Sequence, residues 1–259
     1  MSKFLDFMER IREGAPAPLG FNVGRAEKVP GMALVGMISG AYAKSIKIVA
    51  NVKPDATIIS GADGPEGLKK LGESLSDTPW GARVSSLNEE EAEAYQECGS
   101  DLLTFPLENT SASALASEEM ARVLTIDVDM EEQELRAVAS LPVDAFLISM
   151  TQVSGAWSLR ELATLGTISR RVDKYILVEV SQAPGKKDLE ALRDMGVQAL
   201  VLDVGSVNAK ALAGLKQSLL DMPKPKINRR NRAAAILPGS VYAAASEPEP
   251  EQEEEEEDE

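Results

Sequence analysis

The sequence predicts an α/β protein of the (β/α)8 barrel class, and three observations predict it. Short apolar runs recur about every 22 to 24 residues, starting at Ala33, Ala56, Trp80, Asp101, Val123, Ala145, Ile176 and Ala199, which is the spacing of repeated strand-helix units. Helical patterns fill the stretches between them. The approach to several runs repeats one turn chemistry: Pro54-Asp55-Ala56, Gly99-Ser100-Asp101-Leu102, Pro142-Val143-Asp144-Ala145 and Gly196-Val197-Gln198-Ala199. Gly ends the preceding helix in a left-handed conformation, Pro prevents its continuation, and Asp or Gln bonds free backbone groups, so these residues are assigned to stability. Eight parallel strands alternating with helices close into a barrel whose active sites lie where the strands end. The fold locates the chemistry without choosing it.

In chain order, Phe4, Leu5, Phe7, Met8 and Ile11 fall at helical spacing between charged residues, so Ser2–Glu13 reads as an amphipathic helix with Ser2 as N-cap. It is expected to cover the barrel bottom, and its apolar face also suits packing against another subunit of a homo-oligomer. Ala15-Pro16-Ala17-Pro18 and Gly20–Gly24 follow as an extended piece, either a ninth strand or a loop. Helices are expected over Glu66–Leu75, Asn88–Glu97, Glu131–Ser140, Ser158–Val172, Lys186–Met195 and Val207–Leu220. Asn88 with Glu91, and Ser158 with Glu161, have the spacing of capping boxes. Residues 1–31 are thus an N-terminal helix and extended segment, 32–222 the barrel, 223–246 a basic linker and 247–259 an acidic tail.

Charge is concentrated at the C-terminus. The formal charge is −15, yet ten of the thirteen residues from Glu247 are acidic, which leaves about −5 for the rest, ordinary for a soluble domain. The tail has no apolar residue to bury and repels itself, so disorder is expected there. The basic block Lys224–Arg232 lies upstream. Tail and block are either a solvated linker with a solubility tail, or a docking arm for a basic protein partner, or a basic segment for anionic lipid or RNA with which the tail competes; no nucleic-acid partner is expected for the chain as a whole. No run approaches the roughly 20 apolar residues of a membrane span, and Met1–Arg12 lacks a signal-peptide core, so the expected location is cytoplasmic. The single cysteine, Cys98, cannot form an intramolecular disulfide and reads as a packing residue before Gly99.

Histidine is absent, which excludes Ser-His-Asp and Cys-His catalysis and His-ligated zinc or iron. No lysine ends a predicted strand, so a Schiff-base mechanism is not expected. Strand alternation selects the side chains facing the barrel interior. Val178 and Val180 take the helix side and leave Glu179 inward with Ser181; the same logic turns Asp203, Asp127 and Arg83 inward, with Ser149 and Ser60 beside them. Asp127, Glu179 and Asp203 then either hold Mg²⁺ or act as general acid and base while Arg83 clamps a carboxylate or phosphate, or form a structural network that Arg83 neutralises.

Two Gly-containing loops follow the last two strands: Ser181-Gln182-Ala183-Pro184-Gly185-Lys186, and Gly205-Ser206-Val207-Asn208 opening the final helix. Together with Leu189–Val201 between them, this quarter of the chain resembles the phosphate-binding TIM-barrel superfamily, which includes sugar-phosphate isomerases and synthases and FMN-dependent oxidases. The resemblance implies a phosphate held by the backbone at Gly185, Gly205 and Ser206 with help from Lys186, although Ala183-Pro184-Gly185 replaces the usual pair of adjacent glycines and Pro184 removes a donor. Ordinary strand-to-helix turn chemistry is the other reading of both loops. Ser60-Gly61-Ala62-Asp63-Gly64-Pro65 is a further Gly-rich loop with Asp63 at the mouth, Pro106–Ser117 has the composition of a lid, and Trp157 offers either an apolar wall or a packing residue.

The leading expectation is a barrel that binds a phosphorylated metabolite or phosphate-bearing cofactor at its C-terminal face, as a lyase, isomerase or FMN-dependent enzyme. The alternative is a non-catalytic barrel that scaffolds partners through its N-terminal helix and charged C-terminus. An open mouth favours the first, and a mouth filled by side chains favours the second.

Overall fold

The computed structural model describes residues 2–14, 28–62, 64–75, 78–153 and 155–223. Eight parallel strands, β1 (Ala33–Ser39), β2 (Ala56–Ser60), β3 (Trp80–Arg83), β4 (Leu102–Pro106), β5 (Ala121–Ile126), β6 (Ala145–Ser149), β7 (Tyr175–Val180) and β8 (Ala199–Asp203), pair in chain order, and β8 pairs with β1 to close a barrel. Around them run α2 (Tyr42–Val52), α3 (Gly64–Glu73), α4 (Glu89–Glu97), α5 (Glu132–Ala139), α6 (Leu159–Arg171), α7 (Lys186–Asp194) and α8 (Ala209–Leu220), after an N-terminal α1 (Lys3–Glu13). The eight-unit barrel is the fold, and it closes without Gly20–Gly24, a segment outside the described residues. The basic block and the acidic tail also lie outside them.

Alternation along each strand sorts the core into two layers. Val35, Ile58, Val123, Leu147, Leu177 and Val201 pack inside the barrel, whereas Ile38, Ile59, Leu124, Ile148, Val178 and Leu202 pack against the helices. Phe4 and Met8 of α1 belong to the inner layer and are fully buried, so α1 stoppers the lower end; each such side chain contributes about 1.5–3 kcal/mol on burial. The barrel holds that helix by its N-terminus. Ser2 Oγ caps the Leu5 N–H, and the Asp101 carboxylate accepts the Ser2 hydroxyl (2.9 Å) and the Lys3 and Phe4 N–H groups (both 2.8 Å). Further along, the Tyr175 hydroxyl donates to Glu9 (2.6 Å) and the Arg12 guanidinium lies over the Tyr175 ring.

Three of the repeated turn residues do one job, on β1, β5 and β7. Asp55 accepts the Leu34 N–H (2.8 Å), Asp144 accepts the Arg122 N–H (2.8 Å) and its guanidinium, and Gln198 accepts the Ile176 N–H (2.7 Å). Each ties the foot of one strand to the turn leading into the next. Burial pushes the Asp55 carboxyl up, against the Leu34 bond that lowers it. Asp101, at the equivalent place, is turned over to α1 instead. Both expected capping boxes are present, with Asn88 and Ser158 as N-caps of α4 and α6. Gly81 is required by the approach of β3 to β4, since a Cβ there would lie 1.7 Å from the Leu102 carbonyl oxygen. No helix among the described residues is long and apolar enough to cross a membrane.

Candidate functional site

The upper end of the barrel interior is polar where the lower end is apolar. Parallel register sets Ser39 beside Ser60, Ser60 beside Arg83, and Ser149 beside Glu179, so one layer of inward side chains is made of hydroxyls and charges. Arg83 ends β3 and Glu179 sits near the end of β7; in a closed barrel of eight strands these are diametrically opposite. Arg83 Nη1 crosses the interior to Glu179 Oε2 at 3.0 Å and also meets the Met37 sulfur at 3.5 Å. The pair bridges the mouth over the apolar layer beneath. Among the described residues, no partner engages the Nε and Nη2 edge of Arg83.

The other two carboxylates are not drawn into this pair. Asp203 takes the Ser39 hydroxyl on Oδ2 (2.7 Å) and the Gly205 N–H on Oδ1 (2.8 Å), and its main-chain oxygen accepts the Ser206 N–H and hydroxyl. Asp127 lies one residue past β5, exposed, in the turn that Met130 N–H closes onto its carbonyl. Among the described residues no group of three or more acidic, cysteine or histidine side chains is gathered closely enough to hold a metal ion. The three carboxylates expected together thus have separate settings: Glu179 pairs with Arg83, Asp203 is held by Ser39 and by the Gly205 N–H, and Asp127 stands apart.

The two late loops have a local structure of their own. Gly185 is the N-cap of α7, with extended backbone and Asp188 beside it, and Lys186 is the first, exposed residue of that helix. Gly205 and Ser206 are folded onto Asp203, so a carboxylate stands where the Gly205 N–H would meet a phosphate. Half of the expected cradle is occupied by the protein's own anion. Trp157 packs against the hydrophobic core beside the helices, and Asp63 lies outside the described residues.

The open part of the mouth lies over β2 to β5. A cleft of about 670 Å³ is lined by Ser60, Arg83, Ser85, Ser86, Tyr95 and Thr125, with Glu91 and Glu108 on its walls; ligand sites commonly measure about 300–1,000 Å³. Its outer wall is fixed. Leu87 and Thr110 form an isolated parallel bridge in which the Leu87 N–H donates to Asn109 and the Ser111 N–H donates to Leu87. Pro106–Ser117, expected as a lid, is therefore pinned at Asn109–Ser111 to the loop after β3. Burial, and then the nearby Glu91, pushes the Tyr95 phenol up, so it remains a hydrogen-bond donor at neutral pH. Ser85, Ser86, Tyr95, Glu91 and Thr125 were not identified from sequence. Thr125 is legible by parity, two residues beyond inward Val123; the others lie on a loop and a helix where parity carries no information.

No family model matches the sequence, and no curated protein matches it. Solved structures do. The 3-keto-L-gulonate-6-phosphate decarboxylase of Vibrio cholerae is 11% identical, with 74% of this chain and 98% of that chain covered and a TM-score of 0.58. The thiamine phosphate pyrophosphorylase of Pyrococcus furiosus is 11% identical over 74% and 96%, with a TM-score of 0.54. The tryptophan synthase alpha-subunit of Pyrococcus furiosus is 11% identical over 73% and 96%, with a TM-score of 0.56. The fold is that of a TIM barrel. Two of these three enzymes carry a phosphorylated compound in their names.

Proposed function

We propose that this TIM barrel binds a phosphorylated metabolite in the cleft above β2 to β5, with Arg83 as the anchor of the anionic head, and acts on it by proton transfer as a lyase or isomerase. The observation that carries the reading is that Arg83, whose Nε and Nη2 have no partner among the described residues, lines an open cavity of ligand size at the strand ends. Glu179 holds that guanidinium across the barrel, so the planar fork is oriented before a ligand arrives, which suits two-point recognition of a phosphate or carboxylate. Serine hydroxyls from β2 and the loop after β3 supply neutral donors around it. The acid-base groups on the wall are Glu91, Glu108 and the protonated Tyr95. The open mouth supports ligand binding over a purely scaffolding barrel, and the phosphate compounds in the neighbours' names agree with it.

A thermal-shift titration with inorganic phosphate, FMN and a panel of sugar phosphates, with and without Mg²⁺, tests the proposal. Binding to the native state alone adds about 2.7 kcal/mol at a hundredfold excess over Kd. Arg83→Lys keeps the charge opposite Glu179 and loses the fork, so a saturable shift in the wild type should weaken by about tenfold or more in Kd, a difference of about 1.4 kcal/mol. A Lys186→Ala variant should bind as the wild type does. Loss of binding in Lys186→Ala with retention in Arg83→Lys would move the head to the late loops, and no shift with any phosphorylated compound would remove the proposal.

A further inference from the structure

We infer that the ligand carries its negative charge at one end only, the remainder being uncharged and hydroxyl-rich: a monophosphorylated sugar or polyol, with bisphosphates rejected. The inference rests on the reading that Arg83 receives the anionic head, and it concerns the part of the site that lies beyond that head.

A second cavity of about 400 Å³ adjoins the first along Ser86, Glu91 and Asn109 and continues over Asn88, Thr110 and Ser111. The two make a groove that starts at the strand ends and runs outward over the bridged loops. Its polarity is uneven. Among the described residues, Arg83 is the sole cation on either lining, and it sits at the inner end; the outer stretch offers hydroxyls, two amides and the carboxylates of Glu91 and Glu108. Glu91 Oε2 accepts the Asn88 N–H (3.0 Å) as part of the capping box, which fixes the side chain and leaves Oε1 for a ligand. Glu108 is exposed and has no partner among the described residues.

A carboxylate accepts hydrogen bonds and donates none, so Glu91 and Glu108 match ligand hydroxyls. A second phosphate, with a charge of about −1.5 to −2 and only acceptor oxygens, would meet like charge there and no cation. The bridge between Leu87 and Thr110 holds this outer stretch in shape before binding, which limits the ordering cost of a tail laid along it.

Calorimetric titration of the full chain with matched probes tests this: glucose, glucose 6-phosphate and glucose 1,6-bisphosphate, then ribose 5-phosphate and ribulose 1,5-bisphosphate, all at constant ionic strength. The monophosphate of at least one pair should bind about tenfold or more tightly than its bisphosphate, and glucose alone should bind far more weakly. Glu108→Lys, a surface substitution, should narrow or invert that preference by raising affinity for the bisphosphate. Equal or tighter binding of the bisphosphates by the wild type would overturn the inference while leaving the anchor at Arg83 intact, as would a preference unchanged in Glu108→Lys. Failure of every phosphorylated probe to bind would remove the anchor reading, and this inference with it.

Discussion

Arg83 and Glu179 are unequally exposed, at 29% and 9% of their side chains, and that inequality sets what each contributes. Removing the arginine leaves a carboxylate in the dry interior, whereas removing the glutamate leaves a guanidinium with access to the cleft. Arg83→Met is therefore expected to cost about 3–5 kcal/mol, Glu179→Met less, and the double variant less than Arg83→Met alone, because an apolar pair restores a satisfied interior. Urea unfolding of the three variants measures this; equal single costs that add in the double variant would show that the pair does not act as a unit. The inward facing of both residues was legible from alternation, since Ala82 and Val84 flank one and Val178 and Val180 the other. Their meeting was not, because nothing local says that β3 and β7 stand opposite until the strand count is known. Asp127 shows the complementary failure: its parity is right, but the strand stops at Ile126, and a residue beyond the last pairing is no longer aimed by it.

Elements show the same division between pattern and partner. Five of the eight strand starts, Ala33, Ala56, Trp80, Ala145 and Ala199, are where the apolar runs begin. The other three are displaced by charged or polar residues with duties of their own. Asp101 is outside β4 because it holds α1, Arg122 masks the start of β5 because it pairs with Asp144, and Tyr175 opens β7 because its hydroxyl reaches Glu9. α2 was expected only as the helix that must follow the first strand, without bounds; it begins at Tyr42 without a side-chain cap, after Ala41 in a left-handed conformation, so no start signal marks it. The docking of α1 carries a pH dependence. Burial first, then the bond to Glu9, pushes the Tyr175 hydroxyl up to about 12 from 10.0. A folded-state value above the unfolded one means that this stabilisation is complete below about pH 10 and is lost as the pH rises toward 12. Tyr175→Phe should flatten that alkaline decline; comparing urea midpoints of wild type and variant at about pH 9 and about pH 11 reads the difference, and parallel declines in the two proteins would contradict it.

For the molecule as a whole, the two-layered core and the closure of β1 on β8 are complete within the described residues, which end after Met222 packs against the outer layer and Arg193 donates to the Pro223 carbonyl. Removal of residues 224–259 should leave the melting temperature and phosphate binding of the barrel unchanged, and a fall of more than a few degrees in a thermal melt would show that the charged C-terminus supports the fold. The class of fold was legible because the repeat acts through every unit, so an error in one strand is outvoted by seven others. The site had no such redundancy. It depends on which loops stay open, and that was decided by pairings such as Ser39 with Asp203 and Leu87 with Thr110, between residues far apart in the chain. Those pairings have a stereochemical consequence. The strut from Arg83 to Glu179 joins the cleft over β2 to β5, whose outer wall the Leu87–Thr110 bridge fixes. On the proposed reading, Glu91, Glu108 and Tyr95 all stand on the walls of that cleft, so a proton that any of them delivered to a flat substrate would arrive from a fixed side, and a single stereoisomer of the product is the expected outcome.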